Sequence, residues 1–150
     1  MVEIYVDADA CPVRDEVLRV ASRHRLRTHM VSDGGIRPST DPMVSTVFVT
    51  GGADAADDWI AERIGPTDIC VTNDIPLASR CLERGAQALK PNGEAFTDHG
   101  IGMALAQREL MQTLRETGAV TGGPRPFSKA DRSNFLNRLE TATQAAKRRG

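Results

Sequence analysis

The residues in this chain best suited to chemistry are aspartates, and they recur where short apolar runs give way to turns or helices. Asp7 and Asp9 follow the first run, Asp33 the second, Asp54, Asp57 and Asp58 the third, and Asn73 and Asp74 the fourth. Carboxylates a few ångströms apart repel one another unless a cation lies between them. A cluster built of aspartates and water offers only hard oxygen donors, which suits Mg²⁺ or Mn²⁺. Asp54 stands i,i+3 from Asp57 and i,i+4 from Asp58, so Asp54 shares a helix face with either, but Asp57 and Asp58 cannot both point inward with it. Aspartate is also a favoured helix N-cap, and each of these residues lies beside a helix start. One cap suffices per helix, however, and Asp7 with Asp9, or Asp54 with Asp57 and Asp58, oversupplies it.

Several elements must bring these residues together. Strands are expected at Val2–Val6, Thr28–Val31, Val44–Val49, Asp68–Thr72 and Ala86–Leu89, each a short β-branched or apolar run that stops at turn chemistry such as Ser32-Asp-Gly-Gly35 or Thr50-Gly-Gly52. Helical spacing of apolar residues runs from Pro12 to Arg25, Ala53 to Ile64 and Pro76 to Arg84. Strands alternating with helices of this length predict an α/β fold, a mainly parallel five-stranded sheet with helices on both faces. In such sheets ligands sit outside the carboxyl ends of the strands, where the aspartates fall. Asp7 and Asp9 are two apart, so in extended chain both carboxylates reach the same side, and Pro12 then starts the helix.

Beyond the alternating part, a long helix is expected from about Asp98 to Thr117, with Ile101, Leu105, Leu110, Met111 and Leu114 apolar. A Gly/Pro-rich hinge, Thr121-Gly-Gly-Pro-Arg-Pro126, separates it from a last helix. Ser128 and Asp131 form a capped start for that helix, which carries Phe135, Leu139, Ala142 and Ala146. The domain reading is therefore an α/β body over 1–118 and a hinge with a basic helix over 119–150, both parts of one domain.

A chain of 150 residues fits one domain and buries roughly 70% of its unfolded surface without a disulfide or metal to staple it. Three cysteines with no Cys-x-x-Cys pair argue against a disulfide framework and a cysteine zinc site, and point to a reducing cytoplasm. With no membrane-length apolar stretch and an acidic amino end, a soluble, untargeted protein is expected. Net charge is −1, unevenly placed: residues 1–118 hold 12 basic against 18 acidic side chains, residues 119–150 hold 7 against 2. The basic end, with Arg125, Lys129, Arg132 and Arg138, suggests phosphate contacts of a nucleic acid, while Lys147, Arg148 and Arg149 read as a solvated face.

Four segments, "VDADACPV", "GADAAD", "TNDIPLA" and "GPRPFSKADRSNF", together resemble the YaiI/YqxD family of small bacterial proteins over nearly the whole chain. That family is similar to PIN-like domains, three-layer sandwiches whose members are commonly metal-dependent ribonucleases. The resemblance places Asp7 in the first-strand aspartate role, Asp54 or Asp57 in the helix acidic role and Asp74 in the role after the fourth strand; the expected ligands are thus Asp7, Asp54, Asp57 and Asp74, with Mg²⁺ or Mn²⁺ as cofactor and RNA or another nucleic acid as partner and substrate. Asp9 has no certain counterpart in typical PIN-like domains; beside these ligands it is expected to orient water or bind metal, with Thr72 or Asn73 positioning ligands and Arg125 and Arg132, which flank Phe127 inside the last motif, contacting phosphate. PIN-like domains usually carry a glutamate among these acids; here all are aspartates.

Other chemistries fit less well. Asp7-Ala-Asp9 resembles the opening of haloacid-dehalogenase-like phosphatases, but position 11 is Cys11, and the lysines, Lys90, Lys129 and Lys147, all follow Asp74. A Cys-x5-Arg phosphatase loop fails because residue 17 is Val17, so Cys11 is expected as a small buried or capping residue, and Cys70 and Cys81 as core. A non-catalytic nucleic-acid or nucleotide binding protein is the alternative from a different class. His24, His29 and His99 show neither metal spacing nor an acidic partner, and surface positions are expected for them.

Overall fold

A computed structural model describes residues 1–9, 11–52, 54–118 and 126–149. Five strands, β1 (Glu3–Asp7), β2 (Arg27–Ser32), β3 (Val44–Phe48), β4 (Ile69–Val71) and β5 (Gln87–Leu89), form one sheet in the order β3-β2-β1-β4-β5. Every pairing is parallel, with Ile4 opposite both Thr28 and Ile69. The sheet is thus wholly parallel, and its strand order turns around β1.

Helices α1 (Arg14–His24), α2 (Ala55–Arg63), α3 (Ile75–Glu83), α4 (Asp98–Glu116) and α5 (Lys129–Arg149) complete the chain. Alternation along β1 divides the core. Ile4 and Val6 face a cluster built with Val13, Val17 and Val20 near and on α1 and Phe135, Leu139 and Ala146 of α5. Tyr5 faces the other cluster, with Ile60 of α2, Ile64 just past it, and Leu77 and Cys81 of α3. The result is three layers, α1 and α5 on one face and α2 and α3 on the other. The carboxyl-terminal helix belongs to the body: Phe135 and Leu139 are wholly buried.

Local chemistry explains the element ends. α5 opens with reciprocal bonds, Ser128 N–H to Asp131 (2.9 Å) and Asp131 N–H to the Ser128 hydroxyl (3.1 Å). α1 begins at Arg14 rather than Pro12, and stops at Arg25, whose left-handed φ of 56° lets Leu26 N–H return to the Ala21 carbonyl at 2.9 Å. Thr97 caps α4 through Gly100 N–H at 3.0 Å.

The expectations for two histidines need correction. His24 and His29 do have acidic partners: Nε2 of His24 lies 2.7 Å from Glu140 on α5 and Nε2 of His29 2.6 Å from Glu3 on the neighbouring strand. These partners are 116 and 26 residues away, so only the packing of α5 on α1 and of β2 on β1 supplies them. α4 is amphipathic as expected, yet none of its 19 residues is buried, and Met103 and Leu110 are 76% and 58% exposed. Of the Gly/Pro-rich hinge, residues 121–125 lie outside the described residues, as do 119 and 120 before it. No helix among the described residues is long and apolar enough to cross a membrane.

Candidate active site at the carboxyl edge of the sheet

Where β2 and β4 flank β1, successive connections leave in opposite directions, which opens a crevice at the carboxyl edge of an α/β sheet. Asp7 ends β1 at that crevice, on the face of Tyr5 and therefore toward α2 and α3. The neighbouring β4 ends one residue before Thr72, which is 2% exposed. The Thr72 hydroxyl donates to Asp7 Oδ2 at 2.9 Å and accepts from Asp74 N–H at 2.9 Å. Its single hydrogen is thereby committed to Asp7, which fixes that carboxylate against the strand end.

Asp74 is the N-cap of α3, its Oδ1 accepting from Leu77 N–H at 2.8 Å, with Pro76 in the first turn. Capping and site membership coexist here: the Asp74 charge raises the carboxyl pKa of both Asp7 and Asp57. For Asp7 burial is the larger cause of the rise, and the Thr72 bond opposes it. Asp57, in the first turn of α2, is pushed up to about 7 by burial and then by the charges of Asp74, Asp7 and Asp54, with Arg80 pulling down. Asp57 therefore exchanges a proton near neutrality. Asp54 is the α2 N-cap position, exposed and without a side-chain capping bond.

Asp58 turns the other way, as helix geometry requires of the residue after Asp57, and pairs with Arg80 at 2.7 Å. Asp9 also departs from its expected place. The chain leaves β1 at Asp7, Ala8 drops into the α1 side of the core, and the Asp9 carboxylate closes on β2 instead. Its Oδ1 accepts from the Ser32 hydroxyl at 2.7 Å and its Oδ2 from Asp33 N–H at 3.0 Å. Strict alternation would have kept Asp9 beside Asp7, but it applies only while the chain stays extended.

Sequence reasoning missed Ser32. It is fully buried, donates to Asp9 and accepts from Gly34 and Gly35 N–H at 3.1 and 3.2 Å. The available signal was the hydroxyl residue at the end of β2, matching Thr72 just past β4. Beside Asp9 and Asp33 a 450 Å³ hollow extends over Val49, Thr50, Gly51, Gly52 and Ala56. Gly51 and Gly52 have φ of 117° and 101°, which only glycine adopts without strain.

Among the expected substrate contacts, Asn73 is exposed at the crevice. Arg132 is engaged within the fold: Nη1 donates to the Pro12 carbonyl at 2.7 Å and to Glu16 at 2.9 Å, and its guanidinium lies 5.2 Å from the Phe127 ring centre. These bonds fasten α5 to the start of α1. Arg125 lies outside the described residues. Cys11 is half-buried against the core, its thiol pKa raised by burial, and Cys70 and Cys81 are buried as expected.

Among the described residues, the side chains at the crevice offer carboxylate, hydroxyl and amide oxygens, the chemistry a hard divalent cation takes. Among the described residues, however, no three acidic, histidine or cysteine side chains are already grouped as ligands.

Comparison with known proteins gives no matching solved structure. It does give close relatives along the whole chain. A UPF0178 protein of Parvibaculum lavamentivorans is 60% identical over 149 residues, covering 99% of this chain and 98% of the relative. UPF0178 proteins of Rhodospirillum rubrum and Rhodopseudomonas palustris are each 57% identical, covering 97% and 99% of this chain and 98% and 94% of their own. Residues 5–145 match the family model described as "Uncharacterized BCR, YaiI/YqxD family". The chain belongs to the YaiI/YqxD family.

Proposed function

We propose that this protein is a divalent-metal-dependent phosphodiesterase acting on nucleic acid, with RNA as the substrate. The observation that supports it most is the electrostatic influence of Asp74 on both Asp7 and Asp57, carboxylates carried by three different elements at the turning point of the strand order. Burial and then the Asp74 charge raise the carboxyl pKa values of Asp7 and Asp57, while Arg80, the cation that offsets this at Asp57, is itself bonded to Asp58. Mutual repulsion of this kind is relieved by a cation or by protonation.

The donor set fits Mg²⁺ or Mn²⁺ in chemistry, and Asp7, Asp57 and Asp74 would hold the ion, with the exposed Asp54 as a further ligand, once their side chains close the grouping. A bound ion supplies Lewis acidity and lowers the pKa of water for attack on a phosphodiester. The chain's own residues supply the rest. Thr72 holds Asp7 in one rotamer, and Asp57 holds a proton below about pH 7 that it must release to act as a ligand. Cation affinity therefore falls as pH drops through 7.

The test is calorimetric titration with Mn²⁺ of the wild type and of Asp7→Asn, Asp57→Asn and Asp74→Asn, paired with incubation of each with labelled single-stranded RNA. Saturable binding by the wild type, weakened at least tenfold in each variant together with loss of cleavage, is expected. A wild type that neither binds Mn²⁺ nor cuts RNA, or an unaffected Asp7→Asn, would overturn the reading. A non-catalytic nucleic-acid-binding protein is the second reading, favoured by the ungrouped carboxylates; RNA affinity without cleavage selects it. The phosphatase alternative has less support, because both oxygens of Asp9, its required general acid, already accept hydrogen bonds.

A further inference from the structure

We propose that the groove between α1 and the segment leading into β3 is a track for single-stranded nucleic acid, gripped by Arg14, Arg19, Arg25 and Arg37. The choice of nucleic acid rests on the phosphodiesterase reading, and the groove adds a route by which a strand reaches that site.

Three hollows of 220, 320 and 460 Å³ adjoin along α1, all of them lined by Leu18 and two of them by Val44. Arg14 and Arg37 line the end nearer the carboxyl edge, Arg25 the far end and Arg19 the outer wall. Arg14 opens α1, a few residues after Asp9, and Arg25 follows its last turn, so the two are separated by ~16 Å of helix. The track therefore starts beside the aspartates and runs away from them.

The charges favour a polyanion. None of these four arginines has an ion-pair partner among the described residues, whereas Arg23, Arg63, Arg80 and Arg132 are each paired with a carboxylate. Two acids share the groove, Asp15 and Asp41, and the Asp41 carboxylate is occupied by Met43 N–H at 2.9 Å. Four cations against two anions stand out on residues 1–118, which carry 12 basic and 18 acidic side chains. A local positive strip on an acidic body steers and orients an anionic chain.

One further feature distinguishes a nucleic acid from an acidic peptide. Val44 and Thr46 line the groove, and Phe48 follows them on the same face of β3. Phe48 ends the strand at the carboxyl edge and is 47% exposed, an aromatic ring on which a base can stack.

The experiment measures anisotropy of a fluorescent oligouridylate with the full chain in EDTA, which removes catalysis from the readout. Arg14→Gln/Arg19→Gln/Arg25→Asn/Arg37→Gln is compared with wild type across a salt series; asparagine tolerates the left-handed backbone at 25. Affinity should fall at least tenfold, and the slope of log affinity against log salt should drop from roughly −3, for four phosphates at ~0.7 each, toward zero. Arg148→Gln/Arg149→Gln should change neither, and Phe48→Ala should weaken binding severalfold at an unchanged slope. Where the quadruple variant melts early, Arg19→Gln/Arg37→Gln, both exposed, should still lower affinity and shallow the slope by ~1.4. Wild-type affinity and slope in the variants, or no binding by the wild type, overturns the groove. So does equal competition by polyglutamate, which would assign it to an acidic protein. Oligouridylate binding in EDTA without Mn²⁺-dependent cleavage supports the groove and sinks the phosphodiesterase reading alone.

Discussion

The two aspartates at the end of β1 are each held by a buried hydroxyl from the end of a flanking strand, and they differ in what else surrounds their carboxylates. On the β4 side, burial and then the charge of Asp74 raise the carboxyl pKa of Asp7, opposed by its one bond from Thr72. On the β2 side, Asp9 takes a bond from Ser32 on one oxygen and from Asp33 N–H on the other, and closes the loop after β2. The same residue type in nearly the same place is in one case a buried acid beside another acid and in the other a structural clasp. What separates them is the supply of donors: each oxygen of Asp9 accepts a bond, while Asp7 has a single donor beside the Asp74 charge and so retains more capacity for a cation.

The largest effect expected from this contrast is on the clasp. Asp9→Ala strips partners from the buried Ser32 hydroxyl and from Asp33 N–H, and should destabilise the fold by about 1–3 kcal/mol in chemical denaturation. It should leave Mn²⁺ affinity within a factor of about two of wild type. A stable Asp9→Ala that loses Mn²⁺ binding would reverse the two assignments.

Thr72→Val should cost about 1–2 kcal/mol, since Asp74 N–H loses its acceptor and Asp7 its donor. Thr72→Ser should restore most of this in the same melts, because it keeps the hydroxyl. Equal stability of the Val and Ser variants would show that the bond contributes little.

Asp57→Asn should act with the opposite sign. The folded pKa of Asp57, about 7, lies above its unfolded value of ~3.9, so the folded chain keeps a proton that the unfolded chain has lost. Stability is thus highest below pH 4 on this account and declines as pH rises through 7. The asparagine variant lacks this decline and should be more stable above pH 7 by about 1 kcal/mol, after allowance for solvent screening of a half-exposed group. Parallel melts at pH 5 and 8 without metal check it, and a difference that grows toward low pH would contradict it.

The smallest effect belongs to Asp58→Asn. This exposed residue pairs with exposed Arg80, a contact worth about 0.5 kcal/mol or less. Releasing Arg80 lets it approach Asp57, so the Asp57 titration should move slightly down, measurable by carboxyl carbon NMR.

Much of this arrangement is legible in the residues alone. Alternating apolar runs and helical spacings determine a parallel α/β sheet, because parallel neighbours need crossovers and the crossovers here are helices. Parallel strands put all their carboxyl ends on one edge, so the residues following them, Asp7, Asp9, Asp57 and Asp74 included, had to gather there. The reciprocal Ser128–Asp131 cap and the burial of Phe135, Leu139, Cys70 and Cys81 are equally local, set by side-chain type and spacing.

Only the tertiary structure decided which acids meet. The strand order placed β2 on one side of β1 and β4 on the other, giving Asp9 to Ser32 and Asp7 to Thr72, partners 23 and 65 residues away. Packing of α5 on α1 gave Arg132 to Glu16 and His24 to Glu140, pairs more than a hundred residues apart, and left Arg14, Arg19, Arg25 and Arg37 without acids. Amphipathic spacing in α4 marked an apolar stripe but no neighbour to cover it. The physical reason is the same in each case: periodicity records which face of an element is apolar, whereas a hydrogen bond or ion pair depends on which other element arrives opposite it.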